Sequence, residues 1–314
     1  MELIDSLKAL ADESRLRLLN LLSRGHFNVQ EITSILGSSQ STVSHHLKVL
    51  QNIGIAKSHR EGTWIYYTLD TSAENSVAQK ISQVILEISA SDQDKELRAL
   101  IGRDNRSITA VLDKRRDRSR MFFEANAAKW DEIRKGMPDD EALMAAVLEQ
   151  IPAEATLLEL GCGSGALFEK ALPRTGKSIG VDNSQAMLDE AFQRLSRHRP
   201  QLDLRLGNLE HLPVGDCSID CIAAYMVMHH IAKPIEALKE AYRVAKPGGS
   251  LIVADLCSHS NEFMRERYSD LWLGFDVDEF EGWAQDCGFK DIKSKTFGED
   301  LKVFLLTCIK PEQR

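Results

Sequence analysis

The sequence predicts an α/β protein in two parts: a small helix-turn-helix with a β-hairpin, then a larger, mainly parallel sheet with helices on both faces. Three observations predict it. Before Asp70, a short helical stretch, a Gly-Ser turn and a longer helical stretch lead into two alternating strands. From Thr156 onward, short apolar strands alternate with amphipathic helices. The first of those strands, Leu157-Leu-Glu-Leu160, runs straight into the glycine-rich turn Gly161-Cys-Gly-Ser-Gly165. A chain of 314 residues has room for two domains, drawn here as 1–90 and 121–314, joined by a charged and partly helical linker, 91–120.

Composition narrows the class. The chain is 43% hydrophobic, enough for two cores, yet no apolar run reaches the roughly 20 residues a membrane span needs. The first residues, Met1-Glu2-Leu3-Ile4-Asp5, carry acids rather than a basic leader, so a cytoplasmic protein without membrane contact is expected. All six cysteines fall in the second half and read as reduced thiols rather than a disulfide framework. A net charge of −8 argues against a general polyanion binder, but the charge is uneven. Between Ser38 and Tyr67, Lys48, Lys57 and Arg60 face only Glu61, with His45, His46 and His59 among them. Such a modest basic patch suits salt-sensitive contact with phosphates, made by a dimer that doubles it.

The elements follow in order. Leu3 to Leu22 is apolar at helical spacing and broken near Asp12, which can cap a second helix. Val29 to Leu36 is one short helix. Gly37-Ser38-Ser39 is a tight turn with a capping serine, and Gln40 to Ile53 a longer helix ended by Gly54. A hairpin comes next, Ile55 to Arg60 and Trp64 to Leu69, turning at Glu61-Gly62. Glu74 to Ser89 is a helix with Val77, Ile81, Val84, Ile85 and Ile88 on one face. So small a domain has nothing left to cover that stripe, so a second subunit is expected there, giving a homodimer.

In the longer helix Val43, Leu47 and Leu50 form the inner stripe, leaving Gln40, Ser41, Thr42, Ser44, His45 and Lys48 outward. These short donors and one cation suit the base edges and phosphates of double-stranded DNA, with Arg60 and Thr63 on the hairpin as a wing. On pattern alone, a helical protein-interaction domain with a solvated polar face is the alternative. The run Ser38-Ser-Gln-Ser-Thr-Val-Ser-His-His-Leu-Lys-Val-Leu50, then Gly54 and Arg60-Glu-Gly-Thr-Trp-Ile-Tyr-Tyr67, resembles the ArsR family of dimeric winged helix-turn-helix repressors over about Met1 to Ala90. That resemblance implies operator DNA as a partner. Members of the family often sense metals through cysteines before the turn, where this chain has Asn28 and Gln30; the helix Val77 to Ala90 also lacks histidine. No metal is therefore expected.

In the second part, Gly161, Gly163 and Gly165 let backbone approach a ligand at the end of a strand. Gly161, Gly163 and Ala166 also fit a dinucleotide fingerprint. Against that reading, Glu159 would repel a pyrophosphate but could hold a cationic amino group. Asp182 ends the next strand, Ser178-Ile-Gly-Val-Asp182, placed for ribose hydroxyls. With the late Lys246-Pro-Gly-Gly-Ser-Leu-Ile-Val253, these motifs resemble class I S-adenosylmethionine-dependent methyltransferases, especially the ubiquinone/menaquinone C-methyltransferase branch, over about Phe122 to Ile309. The resemblance implies a Rossmann-like seven-stranded domain that binds S-adenosylmethionine or S-adenosylhomocysteine. It implies Gly161 and Gly163 beside the methionine and ribose, Asp182 on the ribose, Asn183 and Met187 about the adenine, and Asn208 and Leu209 over its amino edge. That branch commonly has Asp where Asn208 stands; an amide oxygen still accepts from the adenine amino group. Tyr225 to His230 would line the pocket near sulfur, although His230 could simply brace a loop. Cys162 is expected to pack beside the ligand, and Cys217 and Cys221 to be core. His259, Arg265, Arg267, Tyr268, Trp272 and Phe275 could form a lid over an acceptor site.

Methyl transfer from a sulfonium needs positioning more than a displayed base, so no catalytic residue is identified and the methyl acceptor is unknown. The whole arrangement resembles S-adenosylhomocysteine-responsive regulators of methionine-cycle genes. It implies a repressor with the sulfur compound as effector. The alternatives are an active methyltransferase of a small molecule with an autoregulatory DNA-binding domain, and an inert scaffold.

Overall fold

The computed structural model describes residues 2–61, 63–70, 77–89, 95–134 and 141–312. The wing tip at Gly62, the start of the expected helix at Glu74 and linker residues 91–94 lie outside them. The chain divides into two compact units, Met1–Lys114 and Arg115–Arg314.

The first unit is built from α1 (Glu2–Leu10), α2 (Glu13–Leu22), β1 (Phe27–Asn28), α3 (Val29–Leu36), α4 (Gln40–Asn52), β2 (Ala56–Glu61), β3 (Trp64–Leu69), α5 (Val77–Ser89) and the first part of α6 (Lys95–Asn126). Local chemistry sets the boundaries. Asp12 caps α2, accepting the Arg15 N–H at 3.1 Å. Asn28 and Glu31 form a reciprocal capping box on α3, and Gly37 ends that helix in the left-handed conformation. Ser39 caps α4 through the Thr42 N–H. The three strands form a sheet in the order β1-β3-β2. Leu18, Leu19, Leu22, Ile32, Leu47 and Leu50 are buried as its core.

One ion pair in this core was not foreseen. Arg17 on α2 donates to both carboxylate oxygens of Asp104 on α6, at 2.6 and 2.8 Å, and to the Leu36 carbonyl at 3.0 Å. Both side chains are buried. The hydrogen bonds from Arg17 to Asp104 raise the guanidinium pKa. The segment expected as a charged, partly helical linker is helical from Lys95 to Asn126. Its Ile101, Asp104, Ile108 and Leu112 form an inner face at helical spacing.

The second unit contains the end of α6, α7 (Trp130–Arg134), α8 (Glu141–Gln150), β4 (Leu157–Leu160), α9 (Ala166–Ala171), β5 (Ser178–Asp182), α10 (Gln185–Arg194), β6 (Leu202–Leu206), β7 (Ile219–Tyr225), α11 (Pro234–Val244), β8 (Ala245–Leu256), α12 (Phe263–Tyr268), α13 (Val277–Asp286), β9 (Lys290–Phe297) and β10 (Val303–Ile309). Its seven strands run in the order β6-β5-β4-β7-β8-β10-β9. All neighbours are parallel except β10, which is antiparallel to β8 and β9. β4 is buried along its whole length, as expected for a strand with helices on both sides of the sheet. Strand order reverses at β4, the position where doubly wound sheets open a crevice at their carboxyl ends.

No described helix is long and apolar enough to cross a membrane. The six cysteines are free.

Candidate functional site

A cleft with about 1120 Å³ of empty space, its open mouth included, lies at the carboxyl ends of β4, β5 and β7. Glu159, Gly161, Cys162, Gly163, Asp182, Asn183, Met187, Asn208, Leu209 and Tyr225 all line it. Gly165 does not. It starts α9 at φ 84°, and a Cβ there would come 2.7 Å from Leu195 Cδ1, so its smallness serves helix packing rather than the cavity. At Gly161, with φ 63°, a Cβ would overlap the Val227 side chain on the cavity wall. The strand end therefore admits only glycine there.

Two buried carboxylates face this space. Asp182 Oδ2 accepts the Gly163 N–H at 2.9 Å and Oδ1 the Ser184 N–H at 2.9 Å, so the carboxylate also ties the glycine turn to β5. Burial raises its pKa, partly offset by N–H groups of Ser184, Gly163 and Asn183. Glu159 is 3% exposed, and its Oε2 has no hydrogen-bond partner among the described residues. Burial holds its pKa well above the carboxylate range, Asp182 adds to this, and Arg134 opposes it. An orphaned carboxyl on a cavity wall is a place for a cationic donor. Burial, Asp182 and Glu159 likewise push the Cys162 thiol up, so it is packing rather than a nucleophile.

The remaining wall comes from residues the glycine motif does not announce. Arg116, Ser119 and Phe123 reach it from α6, Trp130 from α7 and Glu210 from the loop after β6. Glu210 accepts from Arg116 at 2.9 Å and from the Lys233 N–H at 3.1 Å. Phe123 stands edge-to-face with Trp130 at 5.0 Å and with His230 at 4.8 Å. Beside them, His229 Nδ1 lies 2.6 Å from Asp255 Oδ1, and both residues are fully buried.

The expected lid is not one. None of its six residues lines the cavity. Trp272 and Phe275 are buried among Phe280 and Trp283, and the Trp272 indole N–H donates to the Ile231 carbonyl at 2.8 Å. Tyr268 is buried as well. Cys221 is core as expected, whereas Cys217 is exposed.

In the first unit, α4 buries Val43, Leu47 and Leu50 and exposes Gln40, Ser41, Thr42, Ser44, His45 and Lys48. Arg60 and Thr63 are exposed on the hairpin. Leu3, Ile4 and Leu7 of α1 are exposed, as is Val84 of α5, and α1 packs against α5.

Two sequence profiles match the chain: "Bacterial regulatory protein, arsR family" over residues 12–58 and "Methyltransferase domain" over residues 158–253. A cadmium resistance transcriptional regulatory protein CadC homolog of Staphylococcus aureus is 38% identical over 81 residues, covering 26% of this chain and 67% of that protein. The chain belongs to the ArsR family, with a methyltransferase domain following the family's DNA-binding domain. Its methyltransferase domain is similar to the demethylmenaquinone methyltransferase of Symbiobacterium thermophilum, 33% identical over 124 residues, which are 38% of this chain and 49% of that enzyme. The chain spans only a third to a half of the length of the first curated relatives it matches, at 34%, 51% and 49%. The fold is shared with the N-methyltransferase NodS of Bradyrhizobium japonicum WM9, solved in complex with S-adenosylhomocysteine. There the TM-score is 0.51 at 16% identity, covering 62% of this chain and 99% of that one. In this ArsR-family chain the unit that follows the DNA-binding regulator domain in sequence holds the cleft.

Proposed function

We propose that the chain is a homodimeric transcriptional repressor whose methyltransferase-like domain binds S-adenosylhomocysteine or S-adenosylmethionine as effector, controlling methionine-cycle genes. The observation that carries the reading is the pair of buried carboxylates at the glycine-lined end of β4. Glu159 has an unpartnered oxygen for the ligand's ammonium group, and Asp182 keeps a second acceptor position on each oxygen for the ribose hydroxyls. Met187 and Leu209 offer apolar surface, and Asn208 an amide, for the adenine. A pyrophosphate would meet two carboxylates and gain nothing. The methyl donor, when bound, supplies a cationic sulfonium methyl; the product lacks both the methyl and the charge.

One helix supports the link to DNA. α6 supplies Asp104 to the buried ion pair of the first unit and Arg116, Ser119 and Phe123 to the cleft of the second. Filling the cleft acts on residues of that helix. Moving the protein from mostly bound to mostly free requires a differential affinity of about 10⁴-fold, shared between two cavities in a dimer. The exposed apolar residues Leu3, Ile4 and Leu7 of α1 and Val84 of α5 supply the dimer face. Gln40, Ser41, Thr42, Ser44, His45 and Lys48 enter the major groove, with Arg60 and Thr63 at the backbone.

The second reading, an active methyltransferase of a small molecule, is favoured by His230. Its ring lines the cleft, and burial together with His229 holds its pKa well below the usual imidazole value. A neutral imidazole there can accept a proton from an acceptor. Calorimetry with each sulfur compound, followed by incubation of methyl-labelled donor with cell extract, tests both readings. The regulator reading expects tight product binding and no labelled acceptor. Multiple turnover would replace it with the enzyme, and absence of binding by either ligand would end both.

A further inference from the structure

We propose that His229, His230 and Asp270 form a binding site for one divalent first-row transition-metal ion beside the cleft, whose wall includes His230 alone of the three. The proposal is independent of what the cleft binds. His229 and His230 stand in the turn after β7, and Asp270 lies between α12 and α13. The three side chains are 0%, 8% and 0% exposed. One donor atom from each falls within 4.8 Å of the others.

What the cluster lacks is a common partner. Asp270 Oδ1 lies 3.8 Å from His229 Nε2 and 3.8 Å from His230 Nδ1, beyond hydrogen-bond length. Both nitrogens and both Asp270 oxygens have no hydrogen-bond partner among the described residues. Each unpaired buried group costs about 1–3 kcal/mol, so gathering three such donor atoms within 4.8 Å is expensive unless something occupies the space between them. The donors are two imidazoles and a carboxylate, which together select a cation. Tetrahedral metal–ligand bonds of about 2.0–2.2 Å place donors about 3.3–3.6 Å apart, so the two Asp270–histidine distances of 3.8 Å must shorten slightly and the histidine donors, within 4.8 Å, by up to about 1.4 Å. Among the described residues, neither Asp270 oxygen has a hydrogen-bond partner.

The surroundings have the form that supports a metal ligand. Asp255 Oδ1, 2.6 Å from His229 Nδ1, can accept its N–H, which leaves Nε2 as the ring nitrogen facing Asp270. Asp255 is itself fixed by the Met228 N–H at 2.8 Å and the Leu256 N–H at 2.7 Å. Two imidazole nitrogens and one carboxylate, with no thiolate in the set, match Zn²⁺, Fe²⁺ or Co²⁺ rather than a soft ion. The sequence expectation was of no metal, because the chain lacks the cysteine and histidine positions of the family's metal sites. These donors come together only through the fold.

The test is Co²⁺ titration of the chelator-treated full-length protein, followed by absorption spectroscopy. One Co²⁺ per chain is expected, with ligand-field bands and no thiolate charge-transfer band. Asp270→Asn and, as a second variant, His230→Gln each weaken Co²⁺ at least ~100-fold, and Asp255→Asn weakens it roughly 10–100-fold while leaving all three ligands in place. Near-UV circular dichroism confirms that the variants compared are folded. Uptake that is equal in wild type and a folded Asp270→Asn or His230→Gln protein would overturn the proposal. So would thiolate bands, which would place the ion on cysteine, or no uptake, which would leave a proton shared by His229 and the two aspartates.

Discussion

Replacing Asp182 by Asn changes one atom and removes one charge. In the structure each carboxylate oxygen already accepts a backbone N–H, from Gly163 and Ser184, both at 2.9 Å. Each retains one further lone-pair direction for a ribose hydroxyl. A hydrogen bond to a charged group contributes about 1.5–3 kcal/mol. The amide keeps one acceptor oxygen and turns an NH₂ toward an N–H, so the variant loses at least one such bond. At about 1.4 kcal/mol per tenfold, S-adenosylhomocysteine should bind Asp182→Asn roughly 10–100-fold more weakly by isothermal calorimetry. The 2′-deoxy analogue makes the measurement specific. Wild type should lose affinity for it, whereas the variant should barely distinguish it from the parent ligand, giving a coupling energy between residue and hydroxyl. If Asp182→Asn binds within twofold of wild type, or both proteins discriminate equally against the analogue, the placement of the ribose is wrong.

Three further outcomes follow. Burial raises the pKa of Glu159, and pairing with the ligand's ammonium favours its ionised form, so binding releases protons at any pH where the free protein still holds one there. Affinity therefore rises with pH until Glu159's raised pKa is passed; Glu159→Gln flattens that rise and abolishes the dependence of binding enthalpy on buffer. Asp104→Ala leaves the Arg17 guanidinium buried without its carboxylate, costing about 3–5 kcal/mol of first-unit stability, read from urea unfolding followed by circular dichroism. Lys48→Ala, on the exposed face of α4, should lower DNA affinity for all sequences and reduce the slope of log K against log salt by about 1 per subunit. An unchanged slope would place Lys48 away from phosphate.

The legible parts of this molecule are those whose cause is local. Asp12, Ser39 and Gly37 act on backbone groups a few residues away, so helix ends in the first unit read directly from sequence. The glycine turn and Asp182 fall at the ends of successive strands, which puts them in one cavity once the strands are parallel neighbours. What escaped reading depends on distant partners. Asp104 looked like one charge in a charged linker because its guanidinium is 87 residues away. Phe123 and Trp130 precede the sheet, and nothing local shows that they close its cleft. Trp272 looked like lid material, since an indole reads equally well as cover or core; its N–H bond to Ile231 and its aromatic neighbours decide for core. Asp255 and Asp270 meet His229 from two later segments, with no spacing to announce them.

The central claim is that a filled cleft weakens DNA binding, and fluorescence anisotropy reads it directly. A duplex enriched by the full-length protein from a random pool is titrated with protein, with and without saturating S-adenosylhomocysteine. The account predicts at least ~10-fold weaker DNA binding with the ligand present, and an effect that moves to higher ligand concentration in Asp182→Asn. DNA affinity unchanged by a ligand that calorimetry shows to be bound would contradict it.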